Sequence, residues 1–149
     1  MLLSPKSLLG IAAVVDIALH ARFGPVAAKA LAKRHSLPAR HLETLLQAMV
    51  KATILKGVRG PKGGYELAKE RRRISMADII RAAVLSENEG EAIAPTNRLI
   101  SDVITPHLKA AQDQFLAELD QMSIEDMCGI AQAKGIFNGE SSKIADFTI

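Results

Sequence analysis

Tryptophan is absent from the 149 residues, cysteine occurs once, and the aromatics are four Phe and one Tyr. One cysteine, Cys128, permits no intrachain disulfide, which excludes the stapled scaffolds of small secreted proteins and leads us to expect a cytoplasmic protein. So few aromatic rings offer no platform for stacking single-stranded bases. No apolar run approaches the ~18 residues of a membrane span. "SLLGIAAVVDIALHA" has some look of a secretory leader, but Asp16 interrupts it, and we read an amphipathic first helix and no membrane partner. His20, His35, His41 and His107 show no HxxxH or HExxH spacing, so no local metal site is expected. Nucleophile elbow, cofactor loop and glycine-framed carboxylate pair are all missing, so no enzyme is expected either.

Charge, by contrast, is plentiful and unevenly divided. Residues 1–83 carry 15 Lys/Arg against 5 Asp/Glu, and residues 84–149 carry 4 against 11. The net +3 thus conceals a basic half of +10 and an acidic half of −7. A basic module of this size suits a polyanionic partner. The composition shift divides the chain into a basic unit, 1–83, and an acidic remainder, 84–149.

Glycine and proline punctuate the basic half. Ser4 and Pro5 are start signals for a helix to about Arg22, with Leu8, Ile11, Ala12, Val15, Ala18 and Leu19 as its apolar stripe. After "FGPV" a short helix is predicted from Val26 to about His35, with Ala27, Ala30 and Leu31 on one face. "HSLP" forms a turn. A third helix is predicted from about Pro38 to Ala52, with Leu42, Leu45, Leu46 and Met49 at helical spacing. Two short helices across a tight turn read as a helix-turn-helix. Ile54–Arg59 and Tyr65–Ala68 then flank "GPKGG" as a hairpin, with Gly60 expected extended before Pro61 and Gly63 and Gly64 free to take positive φ. "KERRR" is a basic connector, and Ser75 with Asp78 makes a capping box for a fourth helix.

In the acidic half "SENEGEAIA", 86–94, has no period and is expected to be a loop. Pro95 can open a long helix to about Met122, with Ile100, Ile104, Leu108, Ala111, Phe115, Leu119 and Met122 along one side at close to an 11-residue repeat. Pro106 falls inside it and should force a kink or a restart at Thr105. "SIED", 123–126, opens a last short helix that holds Cys128 and stops at Gly135.

"GVRGPKGGYEL", 57–67, concentrates the question of function. Its spacing matches neither the Walker loop nor the dinucleotide fingerprint. Placed directly after a helix-turn-helix it is instead the wing of a winged helix, whose third helix enters a major groove while the hairpin lies on the neighbouring backbone or minor groove. Arg59 and Lys62 bring positive charge to its tip, where a narrow minor groove favours an arginine.

"LPARHLETLLQAMVKATILKGVRGPKGGYELA", 37–68, resembles the signature of the IscR/NsrR-type winged-helix transcriptional regulators, the Rrf-two family. "DIALH" and "PVAAKALAKRHSLP" fit as well, and the likeness thins along the long helix to about Cys128. The resemblance implies a mainly α fold with a small β-hairpin, in which a winged helix-turn-helix is joined to a long dimerisation helix. It also implies a homodimer, usually a repressor, on a palindromic site in double-stranded DNA. Glu43 matches the family's base-reading glutamate, Pro38, Ala39, Arg40 and His41 open the recognition helix, and Arg59, Gly60 and Pro61 match the wing tip. Lys62 and Lys6 complete the candidate contact set. A carboxylate can accept from cytosine N4, while Arg40 and Lys62 suit phosphate or guanine.

Two departures from the family pattern stand out. Several members hold an iron–sulfur cluster on three cysteines before the dimer helix, but "SENEGEAIAPTN" has none, so no cluster or other cofactor is expected. Further, His41 replaces a usual tyrosine and Thr53 a usual glycine. Cys128 is a candidate sensor, against the commoner reading of a small packing residue. A thiol- or ligand-responsive sensor of the same fold, or a protein-interaction module without DNA binding, are the other classes these features allow. No residue singles out an effector, whether small molecule or protein.

Overall fold

A computed structural model of the chain describes residues 3–87 and 97–137. The expected acidic loop beyond Glu87, the start signal at Pro95 and the tail after Phe137 lie outside the described residues. Among the described residues the fold is six α-helices and one antiparallel hairpin: α1 Pro5–Leu19, α2 Ala28–Arg34, α3 Ala39–Lys51, β1 Leu55–Val58, β2 Gly64–Leu67, α4 Met76–Glu87, α5 Thr105–Asp120 and α6 Ile124–Ala133.

Local signals account for most boundaries. The Ser4 hydroxyl accepts the Ser7 N–H at 3.1 Å ahead of Pro5, satisfying one of the donors a helix start leaves open. Reciprocal capping boxes open α4 through Ser75 and Asp78, and α6 through Ser123 and Asp126. α1 ends at Leu19, short of the expected Arg22, because Ala21–Phe23 tighten into a 3₁₀ turn stopped by Gly24 at φ 97°. Pro106 marks the expected irregularity: a π-turn over Ile100–Ile104 precedes it, with Thr105 N–H bonded to Ile100 O, and regular α5 begins at Thr105.

The main core is a cluster in which α1 meets α3, α4, the hairpin and α6, and a smaller one joins α4 to α5. Leu42, Leu45, Leu46 and Met49 are buried as their spacing requires. α1 is different. The stripe expected through Leu8 leaves that residue exposed, and the deepest positions are Gly10, Ala13, Val14 and Ile17. The helix is apolar on nearly every side, so periodicity does not choose its inner face. Gly10 lies on that face: a Cβ there would stand 3.2 Å from Ile79 Cγ2 and 3.3 Å from Met49 Cε, so any larger residue would have to push these side chains aside for α1 to sit this close to α3 and α4.

Three helices end in Schellman motifs. Ile54 N–H reaches Met49 O, Leu37 N–H reaches Ala32 O and Ile136 N–H reaches Ala131 O. The left-handed residue is Gly135 in one case, but Ser36 (φ 54°) and Thr53 (φ 58°) in the others. Thr53 therefore holds a conformation that a β-branched side chain disfavours.

Asp16, read in the sequence only as an interruption, is completely buried. Arg34 grips it with a fork, Nε 2.9 Å from Oδ2 and Nη2 2.6 Å from Oδ1. His35 Nε2 stands 3.0 Å from Oδ2, and His20 Nδ1 lies 3.1 Å from Oδ1 and 2.8 Å from the Asp16 carbonyl. One carboxylate thus ties α1 to the end of α2 and to the turn before α3. Asp16→Ala removes the buried carboxylate shared by Arg34, His35 and His20 and is expected to cost about 3–5 kcal/mol in urea unfolding; a loss under about 1 kcal/mol would show that this node is not structural. Thr53→Gly relieves the left-handed strain and should add about 1 kcal/mol in the same measurement.

Candidate nucleic-acid interface

α3 divides cleanly into two sides. Leu42, Leu45, Leu46 and Met49 face the core, while Arg40, Glu43, Thr44, Gln47 and Lys51 fall on the opposite side and are all exposed. Pro38 supplies the extended residue at the N-terminus of the helix (ψ 134°), which leaves the first-turn N–H groups of Ala39 and Arg40 open toward solvent. An open groove of about 850 Å³ between the start of α1 and α3 brings Lys6 together with Arg40, His41 and Glu43, with Pro5, Leu37 and Thr44 beside them. Four of the sequence-selected residues therefore share one concavity, and Ala39 sits half-buried behind it. Thr44 and Gln47 were not among the residues selected from sequence. The signal was there, since both follow Arg40 at one-turn intervals on the polar side.

The hairpin is short and its tip is bare. Leu55 pairs with Leu67 and Val58 with Gly64, and Gly63 N–H donates to Gly60 O at 2.9 Å to close a turn centred on Pro61 and Lys62. Arg59, Gly60, Pro61 and Lys62 are all exposed. The positive φ expected at Gly63 falls instead on Gly60, at 113°, contrary to the extended geometry expected before a proline. Pro61 takes the turn position that suits its fixed φ, so the chain must reverse one residue earlier, where only glycine does so freely. Gly64 does lie at positive φ, 156°. A Cβ there would strike the Val26 carbonyl, because Val26 pairs with Tyr65 as a third, one-residue strand (Val26 N–H to Tyr65 O 2.9 Å, Tyr65 N–H to Val26 O 2.8 Å). That bridge, unforeseen from sequence, anchors the wing to the segment leading into α2. A second groove joins the two, with Pro61 and Lys62 on one side and Ala27 and Ala30 on the other.

Around these elements the charge is basic and solvent-facing. Lys29, Lys33, Arg72 and Arg73 are exposed along with the residues above. Lys56 is answered by Glu66 at 3.2 Å and Arg72 by Glu70 at 2.6 Å; both pairs are exposed and add little to stability. The arrangement is a protruding helix with a carboxylate and an amide among cations, flanked by a glycine-rich hairpin with an arginine at its tip.

Known proteins agree with that geometry. The profile of the Rrf2 family, described as "Iron-dependent Transcriptional regulator", matches residues 3–129. The chain belongs to the Rrf2 family. A Synechocystis protein named for an HTH-type transcriptional regulator, slr0846, is 30% identical over 141 residues, covering 94% of this chain and 96% of its own. IscR of Xenorhabdus nematophila is 35% identical over 82 residues, which is 55% of this chain and 50% of that protein. Among solved structures, T. potens IscR superposes with a TM-score of 0.67 at 33% identity over 87% of each chain. CymR of Staphylococcus aureus gives 0.62 at 26% identity over 84% of this chain and 96% of that one. This Rrf2 protein is therefore a transcriptional regulator with a winged-helix DNA-binding fold rather than an enzyme. No described helix is long and apolar enough to cross a membrane.

The family description speaks of iron, but the donors of this chain do not fit a thiolate-held cluster. It has one cysteine in all, and Cys128 is buried in the main core. Among the described residues no three or more His, Cys, Asp or Glu are placed to hold a metal. His20 and His35 do converge, but on a carboxylate already occupied by the Arg34 fork. Burial pushes the Cys128 thiol above its ordinary pKa, opposed by the Arg71 guanidinium beside it. The thiol is therefore protonated at neutral pH, and it is the thiolate that reacts. Alkylation of native Cys128 should be slow at pH 7 and should rise with pH through a midpoint above that of the unfolded chain. A midpoint at or below that of the unfolded chain would mark a reactive thiol and favour the sensor reading.

Proposed function

We propose that this Rrf2 regulator acts as a homodimeric repressor that reads a palindromic operator in duplex DNA. The observation that carries the reading is the convergence of Lys6, Arg40, His41 and Glu43 in one open groove, with the bare Arg59–Lys62 wing tip on the same basic unit. In this reading residues 1–83 contact DNA. Arg40 and Glu43 meet base edges, Glu43 accepting from cytosine N4, and Pro38, Ala39 and His41 set the approach of the helix start to the groove. Lys6 and Lys62 meet phosphate. Gly60 and Pro61 shape the tip that carries Arg59 to the minor groove.

Residues 84–149 supply the dimer contact. α5 favours this role because its docked residues lie toward its C-terminal end: Phe115, Leu116 and Leu119 pack on Ala77 and Ile80 of α4, whereas Leu108 in its first turns and Val103 and Ile104 in the π-turn before it remain 64%, 52% and 40% exposed. An apolar stripe left open on a long helix suits a second copy of itself, and a two-fold pair would set the recognition helices about one DNA turn apart, ~34–36 Å.

Binding to a fragment from upstream of the protein's own gene, measured against random duplex across a salt series, tests the reading. Specific binding should resist the competitor and fall steeply with salt. Equal, weak binding to both DNAs would reject it. Arg59→Ala should weaken operator binding about tenfold, and Glu43→Ala should cost about 1–3 kcal/mol of discrimination at one base position. Leu108→Glu should give a monomer in sedimentation with its α-helical signal intact; a dimer that survives this change would remove α5 from the interface.

A further inference from the structure

A cavity of about 430 Å³ lies between the end of α1, β2 and the end of α6. Its volume falls in the range of small-molecule sites, ~300–1,000 Å³. Two guanidiniums, Arg22 and Arg71, and the Gln132 carboxamide line it together with Leu67, Ile136 and Phe137, and among the described residues no carboxylate does. Neither arginine forms an ion pair with a carboxylate among the described residues. Arg22 instead lies 4.7 Å over the Phe23 ring, and Arg71 leans toward the Cys128 thiol. Ile136 is left 48% exposed beside them. Guanidiniums with no carboxylate partner among the described residues, next to the exposed Ile136, match a molecule with a carboxylate at one end and a compact apolar body at the other, since a guanidinium fork presents paired donors to a planar anion.

The cavity's position connects it to the reading elements. His20 forms part of its wall and also touches the Asp16 carboxylate that holds Arg34 and His35 at the helix-turn-helix. Leu67 ends the outgoing strand of the wing, and Arg71 lies in the connector beyond it. An occupant would thus clamp α6 against both the wing and the α1 end. We propose that this cavity binds a small aryl or branched-chain carboxylic acid, and that its occupancy changes operator affinity. The second half rests on the DNA-reading function proposed above.

Phenylacetate and 4-methylvalerate serve as probes on the full-length protein, with phenylacetamide and inorganic phosphate as controls. At ten times its Kd a bound acid should raise the melting temperature by roughly 3–5 °C. The neutral amide should give no shift, and Arg71→Gln and Arg22→Gln should each abolish it. Arg22 is exposed, so its variant stays informative even if Arg71→Gln fails to fold. No saturable shift with either acid, an equal shift with the amide, or a shift retained in Arg22→Gln would overturn the site. An equal shift with phosphate would also overturn it, leaving only a general anion contact. Operator affinity, read by fluorescence anisotropy of the fragment, should change at least about fivefold at saturating acid. Unchanged operator affinity with the site filled would overturn the coupling. A thermal shift in a protein that reads no DNA would leave the site standing and reject the regulator reading alone.

Discussion

The structure depends on one buried carboxylate. Asp16 is fully out of water, and a side chain of this kind is tolerated there only with partners around it, here Arg34, His35 and His20. Those partners come from three different places: the last residue of α2, the first residue after it, and the end of α1 itself. Apolar packing of α2 is thin, with Leu31 and Ala32 its only buried residues. A seven-residue helix with so small a core would not fix the direction of the next helix. The directional hydrogen bonds to Asp16 do so, and the Ser36 turn passes that orientation on to α3. The turn into α3 is thus set by directional hydrogen bonds, while Leu42, Leu45, Leu46 and Met49 seat that helix in the apolar core.

The wing obeys a different constraint, that of backbone approach. β1 and β2 pair over only four residues each, too little for an isolated hairpin to persist in water. Two features hold it. Ile54 and Leu55 enter the main core at its base, and Tyr65 exchanges both backbone hydrogen bonds with Val26. The second contact needs a residue with no side chain at 64, because a Cβ would occupy the space of the Val26 carbonyl. The glycine density that marks the segment therefore has two separate causes. Gly64 admits a neighbouring strand, while Gly60 turns the chain ahead of Pro61. The exposed Arg59 and Lys62 are carried outward on a frame made rigid from below.

Much of this was legible in the residues themselves. The inner side of α3, both capping boxes, the irregularity at Pro106 and the stop at Gly135 follow from spacing and from the chemistry of single residues, and the structure repeats them. The inner side of α1 did not follow, because a helix apolar all round carries no phase; the face that carries Gly10 packs on Ile79 and Met49, which are distant in sequence. The Val26–Tyr65 bridge was hidden for the same reason: one residue has no period to detect. Asp16 looked like a defect in an apolar run because its partners lie 18 and 19 residues away and across a turn. Of the interface, the residue types and the wing were readable, whereas the meeting of Lys6 with Arg40 and Glu43 needed the packing of α1 beside α3.

The two ends of the acidic half are held very differently, and this bears on how a signal could travel. α6 is bound into the main core through Ile124 and Cys128, and the Ile124 N–H donates to Ile74 O at 2.8 Å. α5 touches the basic unit through a small separate cluster, Ala77, Ile80 and Leu116, supported by Arg81 and Ser75 on Asp120. Arg81 holds the Asp120 carboxyl below its ordinary range, but the pair is exposed, and exposed pairs contribute little. The joint at α4 and α5 is therefore softer than the one at α6. A change in the packing of α6 against α1 and the Arg71–Arg73 connector that follows β2 would act on the base of the wing and on the Asp16 node together. The same displacement would reach α5 only through the weak cluster and would be largely absorbed there. The place where α6 meets α1 and the Arg71–Arg73 connector is therefore the shortest mechanical route from the acidic half to the base of the wing and to the Asp16 node.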